Sequence, residues 1–195
     1  MHRKSALPFR RVARLGFAVV LATLIVPSTS AAQQELSRVQ VEGQRAENEN
    51  ARADKLEEHA RELYGSPSRF REAAKLHQRA ALIRGSDPRS AASFRSAAFA
   101  YSAARDNGLA TQMMVKAGEQ AALTGRIEEA ADYYVDAALL AVEDRRADKV
   151  PAILTRMYAV LSAPLFPENR RTEILDRVRG DTRVAHLDPE LRVAP

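Results

Sequence analysis

MVKAGEQAALTGRIEEAADYYVDAALLA, residues 114–141, decides the fold. Small residues recur three and four apart on both sides of Gly125, with Ala117, Gly118 and Ala121 before it and Ala130, Ala131, Ala137, Ala138 and Ala141 after it. Tyr134 sits in the middle of the second run. That spacing puts the small side chains on one stripe of each of two helices, and Gly125 supplies the stop between them. Two such helices joined by a short turn pack as antiparallel neighbours.

The same reading extends outward in both directions. Gly65, Gly85, Gly108, Gly125 and Gly180 fall where helices should end, the first four at intervals of 20, 23 and 17. Each interval fits one helix and a turn. Gly65-Ser66-Pro67 and Gly85-Ser86-Asp87-Pro88 each place a capping side chain ahead of a proline, which suits the first helical position because its missing N–H has no partner there anyway. A first helix is expected around Leu56, Ala60 and Leu63, and a second around Phe70, Ala73, Ala74, His77 and Ala81. A third is expected over 89–106, a fourth over 109–123, a fifth from Ile127, a sixth from about Asp148 with Pro151 in its first turn, and a seventh over 168–179. The third has Arg95 as its one charge between Ser90 and Ala104, so the sequence predicts that neighbours enclose it on several sides. No segment alternates apolar and polar residues as a strand would. The fold class is therefore all-α.

With those residues in place, 54–162 resembles the tetratricopeptide repeat (TPR) family. Ala117, Gly118 and Ala121 stand at the large-small and following positions of that family's first helix, and Ala130, Tyr134 and Ala137 reproduce the small-aromatic-small spacing of its second. A partial second copy has Ala60 and Tyr64, then Ala73, His77 and Ala80. Met114 and Ala121 replace the usual aromatics, the closing proline after Ala137 is absent, and the copies lie 57 residues apart where the family repeats every 34. The resemblance implies antiparallel helix pairs stacked as a short TPR-like solenoid, and a role in holding a protein or peptide partner.

Residues 1–32 read differently. His2, Arg3, Lys4, Arg10, Arg11 and Arg14 form a basic head, Leu15 to Val26 is an uncharged apolar run, and Ser30-Ala31-Ala32 supplies small residues before Gln33. This is the layout of a secretory signal peptide with cleavage after Ala32. The run is shorter than the roughly 20 residues that span a bilayer, which favours removal over anchoring and confines membrane contact to this segment. The residues after Arg10-Arg11 suit a Sec-type signal better than a twin-arginine one. The expected location is periplasmic or secreted. With no cysteine, neither a disulfide nor a lipid-anchored Cys is possible. Residues 33–50 are expected to form a flexible or helical extension, 51–179 the helical domain, and 180–195 a disordered tail.

Formal charge narrows the function. Residues 1–32 carry five of the 30 basic residues and no acidic one, so removing them leaves 25 basic residues against 25 acidic. A chain with no net excess of cations lacks the electrostatic footprint of a nucleic-acid binder. Catalytic patterns are also missing: there is no phosphate-binding glycine loop, no nucleophile elbow and no cysteine. His59 and Glu62 lie three apart on one helix face, but a catalytic zinc site needs three protein ligands, and His77 takes a packing position. No catalytic residue, metal site or cofactor is expected.

One charge pattern invites a functional reading. Residues 61–116 hold ten basic and four acidic side chains, and within them Arg71, Lys75 and Arg79 repeat every four residues along the second helix. They form either a solvated face partly neutralised by Glu57 and Glu58 or a patch that attracts an acidic partner. The acidic row Glu128, Glu129, Asp132 and Asp136 on the fifth helix reads as a solubilising surface. The leading expectation is an exported, non-enzymatic interaction scaffold of the cell envelope. The alternatives are self-association through the N-terminal helix, with Leu36, Val39, Ala46, Ala53 and Leu56 as a thin apolar stripe that Gly43 interrupts, and a small-ligand or metal binder.

Overall fold

The computed structural model describes residues 29–188, and among them every regular element is helical and no strand occurs. The elements are α1 (Thr29–Leu63), α2 (Phe70–Arg84), α3 (Arg89–Ala103), α4 (Asn107–Leu123), α5 (Ile127–Glu143), α6 (Val150–Leu161), α7 (Glu168–Gly180) and α8 (Thr182–Ala185). Short 3-10 turns at Pro67–Arg69 and Ala147–Lys149 precede α2 and α6. The basic head and apolar run of the signal-like segment lie outside the described residues, while position 32 falls within α1. The chain divides into two units, residues 1–41 and 42–195. In the first, Gln33 to Val41 are helical with exposed side chains. All the packing described below belongs to the second.

Four residues set the metre of that unit. Gly85, Arg105, Gly125 and Arg145 have φ of 53°, 58°, 76° and 57°, so the chain turns through the left-handed region once every 20 residues. After three of them the same bond closes the helix: Asp106 N–H donates to Tyr101 O (2.9 Å), Arg126 N–H to Ala121 O (2.8 Å) and Arg146 N–H to Ala141 O (2.8 Å). These bonds reach back five residues to carbonyls that a helix end leaves without an intrahelical donor. Glycine adopts this conformation freely. Arg105 and Arg145 adopt it against the repulsion of their own Cβ.

The expected stop at Gly108 is thus corrected. The chain turns at Arg105, and Gly108 lies in the first turn of α4, where Asp106 accepts the Leu109 N–H at 3.3 Å as the cap. Gly108 is needed for a different reason. A Cβ there would lie 3.1 Å from Asp144 Oδ2 and 3.3 Å from Arg146 Nη2, so its absence lets the α5–α6 turn approach α4. At the prolines, Asp87 accepts the Arg89 N–H (2.8 Å) to start α3, whereas Ser66 bonds Ser68 and does not cap.

Because each turn is short, consecutive helices pack in series: α2 on α3, α3 on α4, α4 on α5 and α5 on α6. Each buries the same register positions. Phe94, Met114, Tyr134 and Leu154 are buried 20 apart, as are Ala97, Ala117, Ala137 and Met157, and Ala81, Tyr101, Ala121, Ala141 and Leu161. Alternating small and large residues let neighbouring axes approach while the large side chains fill the interval. Ion pairs tie helices two apart: Asp54 of α1 to Arg89 at the start of α3, Glu119 of α4 to Arg156 of α6, and Asp132 of α5 to Arg177 of α7. The helices therefore form two rows, α1-α3-α5-α7 and α2-α4-α6.

This metre reassigns the partial second copy. Ala60 lies in α1 and Ala117 in α4, in opposite rows, and the 57-residue offset corresponds to about three helices. The repeating unit is one helix of about 20 residues, and a pair occupies about 40.

The structure bears on three further expectations. α3 is not enclosed all round, since Ala92, Arg95, Phe99 and Ala103 are exposed, and α5 leaves fewer of its residues exposed. In a two-row stack each helix keeps one stripe toward solvent. The extension over 33–50 is helical as part of α1, its side chains exposed through Glu49. Where a disordered tail is expected from 180, Gly180 is the last residue of α7 and Asp181 caps α8 by accepting the Arg183 N–H at 2.9 Å. Val184 and Asp188 are buried, and the Tyr158 hydroxyl donates to Asp188 at 2.6 Å. No helix among the described residues is long and apolar enough to cross a membrane.

Candidate functional site

The row α2-α4-α6 opens into a groove of about 360 Å³ between α4 and α6. Its floor is aliphatic, made by Val115 of α4 and Ala152 and Ile153 of α6, and its rim is cationic, made by Lys116, Arg146, Lys149 and Arg156. Glu119 is the one carboxylate in the lining and is held by Arg156. Arg146 pairs with Asp144 at 2.8 Å and Lys149 with Asp148 at 3.3 Å, while the Lys116 ammonium stands 5.7 Å from the centre of the Phe94 ring. Pairs this exposed exchange partners at little cost, because water solvates the separated charges nearly as well.

Arg71, Lys75 and Arg79 continue this face. In the 20-residue register they stand on α2 where Thr111, Val115 and Glu119 stand on α4, all of which line the groove. Arg71 pairs with Asp106 at the start of α4, which fixes the direction of the row. All three are exposed. Their expected neutralisation by Glu57 is not found, because Glu57 is bound to Arg84. Three successive helices of one face thus carry cations. The α2 patch is legible as a run of like charge, whereas Arg146, Lys149 and Arg156 lie far along the chain and join it only through the stacking.

The positions assigned to helix packing are all buried: Ala117, Gly118, Ala121, Ala130, Tyr134 and Ala137. They support the groove from behind and do not line it.

On the other row, the acidic stripe of α5 is not the free solubilising surface expected of it. Arg170 of α7 reaches Asp132 (2.8 Å) and Glu128 (3.4 Å), and Arg177 reaches Asp132 (2.7 Å) and Asp136 (2.9 Å). The stripe is the seat of α7. Burial pushes the Asp136 carboxyl up, against the pull of Arg177. In the sequence, donor and acceptor rows lie some 40 residues apart with two proline breaks between them, which hides the match.

Where α1, α2 and α3 meet, Arg84 is buried with its guanidinium on Glu57, Asp54 and Ser93. The Ser93 hydroxyl donates to Glu57 at 2.6 Å. Burial pushes the Glu57 carboxyl up, but the hydrogen bonds from Arg84 and Ser93 and the Arg84 charge outweigh it and hold it below the usual carboxylate range. His77 takes the packing role expected of it, stacked on Tyr64 with ring centres 5.9 Å apart. His59 is exposed on α1. Among the described residues no three His, Cys, Asp or Glu side chains are placed to hold a metal ion.

Comparison with protein-family profiles, curated proteins and solved structures finds no match to the chain. The fold and the groove define its class in physical terms: a stack of helices in two rows, with an open, cation-rimmed groove on one of them.

Proposed function

We propose that the protein is an exported, non-enzymatic interaction module of the cell envelope whose helix pairs stack as a TPR-like solenoid and hold an acidic segment of a protein partner. The observation that carries this reading is the α4–α6 groove. An aliphatic floor of Val115 and Ile153 under a rim of four cations suits a segment that presents carboxylates beside an apolar side chain. The Arg71, Lys75 and Arg79 row lengthens the basic strip beyond one groove, which favours an extended segment over a compact ligand. Export rests on the basic head, the Leu15–Val26 run and the small residues before Gln33, with a Sec-type signal removed after Ala32 and a periplasmic or secreted product.

The test is capture in an intact envelope by a photo-crosslinker placed at Ala152 in the groove, with Ala92 on exposed α3 as the control site. The reading predicts one partner band from position 152, weakened by salt and by Lys116→Glu with Lys149→Glu. Identical capture from positions 152 and 92 would dismiss it.

A second reading is favoured by one observation. Leu36, Val39 and Val41 of α1 are exposed at 64%, 61% and 66%, which suits self-association through that helix. Leu36→Ser with Val39→Ser would then lower the solution mass.

A further inference from the structure

His77 is 4% exposed, and neither ring nitrogen has a hydrogen-bond partner among the described residues. An imidazole in that setting is already under-satisfied when neutral, because its one N–H finds no acceptor. Protonated, it would bury a second unmatched donor and a full charge. The ring lies on the stripe of α2 that also holds Ala73, Ala80 and Arg84, and Tyr64, the residue after α1, stacks over it with the planes 26° apart. Tyr64 is itself 38% exposed, so on this side His77 is covered by a partly open ring.

Burial is the main influence against an imidazolium; among the charges, Glu57 of α1 attracts it, and Arg61 of α1 and Arg84 of α2 repel it. Glu57, however, is taken up by the Arg84 guanidinium and the Ser93 hydroxyl. From α3 comes the Tyr101 phenol, which donates to Gln78 Oε1 at 3.0 Å. A proton on His77 is therefore poorly accommodated while α1 is docked, and well accommodated once Tyr64 lifts and water reaches the ring.

We propose that His77 makes the C-terminal half of α1 an acid-releasable cap: protonation of the ring undocks residues 50–64 from α2 while α3 to α6 remain packed. The device goes beyond partner binding, and it suits an exported protein, whose surroundings are less buffered than a cytoplasm. Release uncovers the Ala73, Ala80 and Arg84 stripe at one end of the stack. Linkage sets the size of the effect. With a free imidazole titrating near 6.5 and a docked one titrating lower, the released population rises by up to about tenfold between pH 7.5 and pH 5.5.

Hydrogen exchange on the intact protein, corrected for the intrinsic pH dependence of the amide rate, tests this. Segment 50–64 should lose severalfold, and at most about tenfold, in protection between pH 7.5 and pH 5.5, segments within α4 and α5 should not change, and His77→Phe should abolish the loss at 50–64. Equal protection at both pH values, or the same loss in His77→Phe, would overturn the proposal. Should His77→Phe not fold, a proton NMR titration of the unaltered protein decides. His77 should titrate below the free imidazole value of about 6.5, in step with movement of α1 resonances, and titration at the free value while α1 stays still would refute the device.

Discussion

The Tyr134 ring lies flat against the backbone of Gly118: a Cβ built on that glycine would be 2.8 Å from Tyr134 Cε1 and 3.0 Å from Cζ. Tyr134 is buried, so its ring has little room to retreat. Gly118→Ala sets a gain in helix propensity of about 1 kcal/mol against overpacking of about 1 to 3 kcal/mol. The clash should win by about 1 kcal/mol in urea unfolding followed by circular dichroism. In a Tyr134→Ala background the clash is gone, and the same Gly118→Ala change should become stabilising. Additive effects in the two backgrounds would mean that the ring does not rest on the glycine.

Arg105 and Arg145 hold the left-handed conformation that Gly125 holds without strain. Arg105→Gly or Arg145→Gly should stabilise by about 0.5 to 1 kcal/mol, the relief of Cβ strain less the extra flexibility of an unfolded glycine. Gly125→Ala should cost about 1 kcal/mol. Thermal melts of the three variants check the signs.

Arg84→Ala leaves Glu57 in a half-buried site without its cation, and losses of about 3 kcal/mol are typical of such broken pairs. Asp54 is mostly solvated and should matter less. The pH sign follows from Glu57, whose carboxyl is held below its unfolded value. Its contribution is present above about pH 4.5 and disappears as pH falls through the folded value. Glu57→Gln should flatten the stability profile below about pH 4.5, a range separate from that of His77.

On α7 the ion pairs are numerous but still partly solvated, and each is worth on the order of 1 kcal/mol or less. Ile174 and Val178 are buried beneath them. Ile174→Ala should therefore cost about 2 to 4 kcal/mol and Arg177→Gln under 1. Hydrogen exchange of α7 in low and high salt would show whether apolar burial or charge holds the helix down.

Much of the fold can be read from the chain because alanine spacing and turn chemistry are local. The bounds of α5, α6 and α7 follow from Ile127, Pro151 and Glu168 to within two residues. The turns at Arg105 and Arg145 escape notice because nothing in an arginine announces a left-handed residue. Their 20-residue rhythm appears only when they are aligned with Gly85 and Gly125. The groove was half legible. Arg71, Lys75 and Arg79 stand together in the sequence, but Arg146, Lys149 and Arg156 are brought to the same face by stacking. The seat of α7 was misread for the same reason, since a carboxylate row looks like a surface until the matching arginines are placed on it.

The even metre of the stack bears on how such a chain can lengthen or shorten. Because direction alternates with each helix, excising one 20-residue stretch would turn every later segment end for end and carry Arg156 of α6 to the opposite side, parting it from Lys116. Excising 40 would restore direction and side together. Growth and loss in this architecture are thus constrained to pairs, even though the sequence repeats in singles.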